Sequence, residues 1–212
     1  MAKEQFYLCF DTETGSLTPE TGDVLTAYFV VMDEDFKILE ELDLKLKPDG
    51  RLPIAEAGAL KVNGINLHEH IENPETVTYS QAKTKLVAMI KKYLKKTGRH
   101  SNIRPIGYNL PFDIGFVQKY IIPSEEWQSL INYNTIDPKV IVNFFKDCTY
   151  LPSEVGSLVS MVKHFQIGMG TAHTAKADTL ATVEVYRRLL DIMKSKKDGG
   201  QAVDLISLLE AE

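Results

Sequence analysis

The sequence predicts an α/β fold, a mixed central β-sheet flanked by helices. Three observations carry this prediction. An apolar run at residues 6–10 is followed by two longer β-rich runs at 24–32 and 38–46, the pattern of a β-meander. A stretch at 79–96 then repeats Leu86, Met89, Ile90, Tyr93 and Leu94 at helical spacing. Beyond it a strand-like segment at 103–108 alternates with helical segments to residue 193.

The first run, 6–10, is apolar on both of its faces and is expected to lie inside the sheet. A turn-like stretch containing Pro19 separates it from the second run. The second and third runs are joined at Asp33-Glu34-Asp35, a good hairpin connection, and Lys47-Pro48-Asp49-Gly50 closes the meander. Residues 52–78 are irregular, with Pro53, Gly58, Gly64 and Pro74; a short helix is expected near 54–60 and a loop at Val62-Asn63-Gly64-Ile65. After the helix at 79–96 and the strand at 103–108, Pro111 opens a helix through Tyr120, at its favoured first turn. A short strand is expected at 134–137. Helices are expected at 139–146, at 153–165 with Ser153 as cap, and at 175–193. Residues 1–194 read as one domain, and 195–212 as a linker and tail, either disordered or held by a partner.

A chain of 212 residues is long enough for a substantial core, and apolar and charged fractions of 44% and 25% are those of an ordinary globular protein. The two cysteines are far apart; Cys9 lies within the first strand and reads as a small core residue. No basic, apolar leader opens the chain and no stretch is long enough to span a bilayer, so the expected location is the cytoplasm, away from membranes. A net charge of −5 argues against nucleic-acid binding by bulk phosphate neutralisation. Contact with nucleic acid should therefore be local and assisted by metal. The lysines of the 79–96 helix read most simply as a solvated face.

Asp11 and Glu13 stand two apart at the end of the first strand, so their carboxylates point to one face. Like charges that close call for a cation between them, and carboxylate oxygens suit a hard divalent ion. An Asp-x-Glu at a strand end is also a common turn. Asp113 falls in the first turn of the 111–120 helix, where it either serves a site or steadies the macrodipole, with Asn109 as the natural N-cap. Asp178, among Ala175, Ala177 and Ala181, is either a boundary acid or a paired one. His173, five residues before it and close to Gly170, is either a surface histidine or an acid/base group.

The segments FDTETGSL, GYNLPFDIGFV and HTAKADTLAT, in this order, resemble the DEDDh family of 3′–5′ exonucleases, which includes ribonuclease T and the proofreading subunit of bacterial replicative polymerase. The resemblance runs from Phe6 to about Leu190. The five-residue spacing of His173 and Asp178 is that of the histidine subclass; the tyrosine subclass would place its tyrosine where Thr174 stands. Three positions depart from the common pattern: Thr26-Ala27 in place of a second-strand Glu, Tyr108 before the motif Asn, and Asn63 before Gly64-Ile65.

The resemblance implies a ribonuclease-H-like exonuclease fold that binds two divalent ions, Mg²⁺ or Mn²⁺. Asp11, Glu13, Asp113 and Asp178 are the implied ligands and His173 the implied general base. The implied reaction releases nucleoside 5′-monophosphates from the 3′ end of single-stranded nucleic acid, with DNA favoured. Thr12, Thr14, Gly15, Leu17, Ile65, Tyr108, Asn109 and Phe112 are the candidates for contact with the terminal nucleotides. The missing side chain of Gly15 is expected to let backbone approach the sugar, while Leu17 and Ile65 wedge or stack on bases and Tyr108 or Phe112 offers an aromatic platform. RNA ends or short oligoribonucleotides are the alternative substrate, and a non-catalytic nucleic-acid-binding module the alternative class. The segment Gln201-Ala202-Val203-Asp204-Leu205-Ile206 is similar to short Gln-plus-apolar segments that dock onto sliding clamps, which makes a clamp or a polymerase the candidate partner.

Overall fold

The first two runs are apolar on both faces because each must cover a helical layer on either side of the sheet. The structure, a computed structural model, describes residues 4–97, 100–168 and 174–199. In chain order the elements are β1 (Phe6–Thr14), β2 (Val24–Met32), β3 (Ile38–Lys47), α1 (Ala57–Asn63), α2 (Leu67–Glu72), β4 (Thr76–Thr78), α3 (Tyr79–Tyr93), β5 (Lys96–Thr97), β6 (His100–Ser101), β7 (Ile103–Ile106), α4 (Leu110–Tyr120), α5 (Ser124–Leu130), α6 (Pro138–Asp147), α7 (Leu158–His164) and α8 (Ala175–Gly199). The sheet runs β4-β3-β2-β1-β7. β1 and β3 are antiparallel to β2, while β7 and β4 add in parallel to β1 and β3. β5 and β6 form a separate two-stranded ribbon. The mixed α/β sheet is as the sequence predicts, and β1 lies inside it.

The two faces of β1 serve two cores. Phe6, Leu8 and Phe10 join Phe29 and Val31 of β2, Leu86 and Ile90 of α3, Phe116 of α4 and Trp127 of α5. Tyr7 and Cys9 face the other way, onto Tyr28, Val30 and Val183 of α8. The outer side of α8 carries Val185 and Leu189, which pack on Val142 and Phe145 of α6 and Met161 of α7. α8 is thus buried on two sides, and its first turn is pressed against the sheet where β1 ends.

Several elements differ from expectation, each for a local reason. The helix expected near 54–60 begins at Ala57 and runs through Asn63, into the stretch expected to be a loop, ending on Gly64 in the left-handed region at φ 69°. It cannot start earlier, because Ile54 O accepts from Asp23 N–H at 2.9 Å and Glu56 N–H donates to Gly15 O at 2.7 Å. α2, β4 and α5 lie within stretches too short and polar for periodicity to register. The strand expected at 134–137 reduces to one parallel bridge, Ile106 to Ile136. α7 is capped by Ser157, whose hydroxyl and backbone form a capping box with Ser160; Ser153 lies outside the helix. α8 continues to Gly199, beyond residues 193–194 where the sequence suggests that the helix gives way to a linker. Among the described residues no helix is long and apolar enough to cross a membrane.

Candidate active site

β1 and α8 bring the first three acids together. Asp11 and Glu13 project from the same face of β1, opposite Tyr28 and Thr26 of β2. Regular pairing stops just after Glu13, where the register jumps from Thr26 to Val24 and leaves Leu25 extra. α8 enters with Thr174, whose hydroxyl accepts from Ala177 N–H at 3.2 Å, and Asp178 sits in its first turn. One carboxylate oxygen each from Asp11, Glu13 and Asp178 lie within 4.8 Å of one another, on half-buried residues. Three hard oxygen donors that close form a donor set that suits Mg²⁺ or Mn²⁺ and repels itself without a cation.

Asp113 reaches the same ground from α4. It is 2% exposed, and its Oδ1 accepts from the N–H and the hydroxyl of Thr12, at 2.9 and 2.6 Å. The pleat therefore sorts β1 residue by residue: Asp11 and Glu13 turn to α8, while Thr12 turns to α4 and fixes the fourth acid. The charges feel one another. Burial, then the charges of Asp113, Asp178 and Glu13, push the Asp11 carboxyl well above its ordinary range. Burial and the charges of Asp178 and Asp113 lift Glu13 from 4.5 to about 7. Burial also raises Asp113, against the lowering bonds from Thr12. Cys9, one residue pair behind Asp11, is a buried core residue as expected, and burial followed by the Asp11 and Asp113 charges raises its thiol.

The candidates for substrate contact fall into two groups. Leu17, 84% exposed, stands out from the loop after β1, and Ile65 is half-buried in a second loop, after α1. That second loop is tied to the end of β1: Asn63 Nδ2 donates to Thr14 O at 3.2 Å, and Asn63 Oδ1 accepts from Ile65 N–H at 3.1 Å. The other candidates already have partners within the protein. Thr12 is spent on Asp113, and the Thr14 hydroxyl donates to Ser16 O at 2.7 Å. A Cβ on Gly15 would lie 2.4 Å from Ile54 O, so the space freed there is filled by the chain itself. The Tyr108 hydroxyl donates to Gly156 O at 2.7 Å, and the Phe112 ring packs 5.1 Å from that of Phe116. His173 lies outside the described residues, as does the segment 201–206.

Asn109 holds the N-cap position of α4 in the left-handed region at φ 67°, and its side chain makes no capping bond. Its Oδ1 accepts from Lys139 Nζ at 3.0 Å instead. The cap is Asp137, whose carboxylate accepts from Asn109 N–H at 2.9 Å and Leu110 N–H at 3.1 Å, and from Lys139 N–H at 2.9 Å in α6. One side chain thus caps two helices, one of which carries Asp113. The sequence held a signal for it: an Asp directly before Pro138, which opens a helix.

The order of the sheet, with helices on both faces and acids carried by β1, α4 and α8, is a fold shared with solved structures of an exonuclease. Solved structures of exonuclease I are among those that share it. E. coli ExoI in a zinc-bound complex with single-stranded DNA superposes with a TM-score of 0.70 at 19% identity, covering 91% of this chain and 43% of that one. E. coli exonuclease I with a dA16 oligonucleotide gives 0.64 at 19% identity over 96% of this chain and 45% of that one. A complex of ExoI with SSB-Ct gives 0.67 at 17% identity over 91% and 44%. The chain therefore spans less than half the length of these proteins, and at such identities the likeness is one of fold. No protein-family model and no curated protein sequence matches the chain.

Proposed function

We propose that the chain is a metal-dependent 3′–5′ exonuclease that removes nucleoside 5′-monophosphates from single-stranded nucleic acid, DNA in preference to RNA. The observation that carries this reading is the approach of Asp11, Glu13 and Asp178 oxygens to within 4.8 Å of one another at the junction of β1 and α8. The fold shared with exonuclease I supports it, as do the structures of that protein with single-stranded DNA. A non-catalytic module has no need of three carboxylates held this close, with the Asp113 charge near enough to raise Asp11 and Glu13 as well.

Asp11, Glu13 and Asp178 would hold one divalent ion, and Asp11 with Asp113 a second. Such ions supply Lewis acidity at the phosphate and a water ready to attack. The protein's part is to orient and to move protons. Thr12 fixes the Asp113 carboxylate through two bonds to one oxygen and leaves the other oxygen for the second ion. His173 accepts the proton of the attacking water. The water oxygen joins phosphorus, the bond from phosphorus to the 3′ oxygen of the preceding nucleotide breaks, and the terminal nucleotide leaves with its 5′ phosphate. Leu17 and Ile65 wedge between the last bases at the mouth.

The deciding experiment follows 5′-labelled single-stranded DNA and RNA of matched sequence. Stepwise shortening from the 3′ end is expected, faster on DNA, halted by excess chelator and restored by Mg²⁺ or Mn²⁺. Asp11→Ala and Asp178→Ala are expected to fold and to be inactive. Undiminished turnover in either variant, or in excess chelator, removes the proposal.

A further inference from the structure

Two clefts lie side by side along α3, on the face of the sheet opposite α8. The first is lined by Arg51, Tyr79, Lys83, Lys119 and Tyr120. The second is lined by Lys83, Val87, Lys91 and Glu126. They share Lys83, so the cations form a line from the C-terminal end of α4 along α3; the eight residues from Lys83 to Lys91 span about 12 Å of helix. In a chain of net charge −5 the lining of the two clefts carries four cations against two acids, Asp49 and Glu126, set in a concavity, where a merely solvated lysine face would be convex.

The line begins at the candidate substrate loop. Lys119 Nζ and the Tyr120 hydroxyl both donate to Pro19 O at 2.6 Å, two residues from the exposed Leu17. The same helix holds Asp113 at its other end, about 10 Å away along the axis. A strand whose 3′ end sat at the acids would have to pass over the loop that carries Leu17 and Pro19 to reach the first cleft.

The charges there can be exchanged. Lys83 is paired with Glu126 at 2.5 Å and Lys119 with Glu20 at 3.9 Å, each between partly exposed partners. Exposed pairs of this kind contribute little to stability, so a phosphate can displace the acid. Arg51 is different: both of its terminal nitrogens bind the buried Asp23, at 2.6 and 2.7 Å, which fixes a guanidinium at the cleft edge. Asp49 also lines the first cleft, but its carboxylate accepts from Ser80 N–H at the start of α3.

We propose that these clefts are a track for the nucleic-acid backbone upstream of the bond being cut, with Lys119, Arg51, Lys83 and Lys91 meeting its phosphates in turn. The inference rests on the nuclease reading, and it assigns to this chain a grip on the strand that the acidic site cannot itself provide.

The test is fluorescence anisotropy in chelator, with oligothymidylates of about 20 and about four nucleotides, over a range of salt. The double variant Lys83→Gln, Lys91→Gln touches exposed side chains, and circular dichroism checks its fold. Loss of two phosphate contacts is expected to raise Kd for the long strand about tenfold near physiological salt and to make the slope of log Kd against log salt shallower by roughly 1.4. The ratio of long-strand to short-strand affinity falls accordingly. Equal weakening for both lengths, or an unchanged salt slope, overturns the track. So does an acidic peptide that binds the wild type and loses the double variant while oligonucleotides are indifferent to the change, which assigns the clefts to a protein partner. If the wild type shows the length and salt pattern but cuts neither strand with metal, the track stands and the nuclease reading fails.

Discussion

Asp11 and Glu13 become a pair through nothing more than the period of a strand, whereas the acids from α4 and α8 need the whole fold to reach them. That is why β1 could be read from its sequence and why Asp178 could be placed only by resemblance. What sequence did not disclose at this scale is the use of Thr12. A threonine between two acids looks like a candidate for substrate, yet both its N–H and its hydroxyl are committed to Asp113. Such a bond across 101 residues has no local signature. The role assigned to His173 carries its own prediction. His173→Ala is expected to lower kcat by about 10²–10⁴-fold, the range for loss of a general base. Calorimetric Mn²⁺ binding is expected to persist, since the carboxylates remain. Equal loss of metal binding would make it a ligand or a structural residue.

At the scale of elements, the long periodic segments were legible and their ends were not. α3, α4 and α8 stand where apolar spacing puts them, because burying a stripe on the sheet outweighs local preferences. α1 begins late because backbone groups of residues 54–56 are already bonded to the loops around Gly15 and Asp23. The start of α4 depends on a residue 27 positions away, Asp137, which no reading of the helix alone would name. Asp137→Ala removes the caps of α4 and α6 together. At about 1 kcal/mol for each cap, it is expected to cost about 2 kcal/mol in chemical denaturation. It should also raise the Mn²⁺ concentration needed for half-saturation, because α4 carries Asp113. A variant that unfolds at the same denaturant concentration as the wild type would show that solvent or Asn109 replaces the cap.

For the whole molecule, the acids set a conflict between folding and function. Glu13, lifted to about 7 by burial and by Asp178 and Asp113, holds a proton in the folded state that the unfolded chain releases near 4.5. The folded state then binds more protons than the unfolded state between those values, so stability falls as pH rises through that window. Asp11 and Asp113 act with the same sign. Asp23 acts oppositely. Its burial works upward, but Arg51 and Ile54 N–H carry it below its ordinary 3.8, and the stability it lends is lost only in stronger acid. Metal-free protein in chelator is expected to lose on the order of 2 kcal/mol between about pH 4.5 and pH 7. Glu13→Gln is expected to flatten part of that decline, and Mg²⁺ or Mn²⁺ to offset it most at the alkaline end, where the carboxylates are free to bind. Stability that climbs with pH across this window in chelator would show that the acids are farther apart in solution than their 4.8 Å grouping.

The extra residue at Leu25, where the ladder skips from Thr26 to Val24, has a consequence for how such a molecule can change. Everything before it, Asp11 and Glu13 included, is locked into an undisturbed ladder whose spacing no neighbouring insertion can alter. Beyond Thr14, residues Gly15 through Leu17 belong to loops that hold one another by a handful of bonds. On the proposed reading, the rim can be remodelled for a new polymer while the acids beneath it stay fixed.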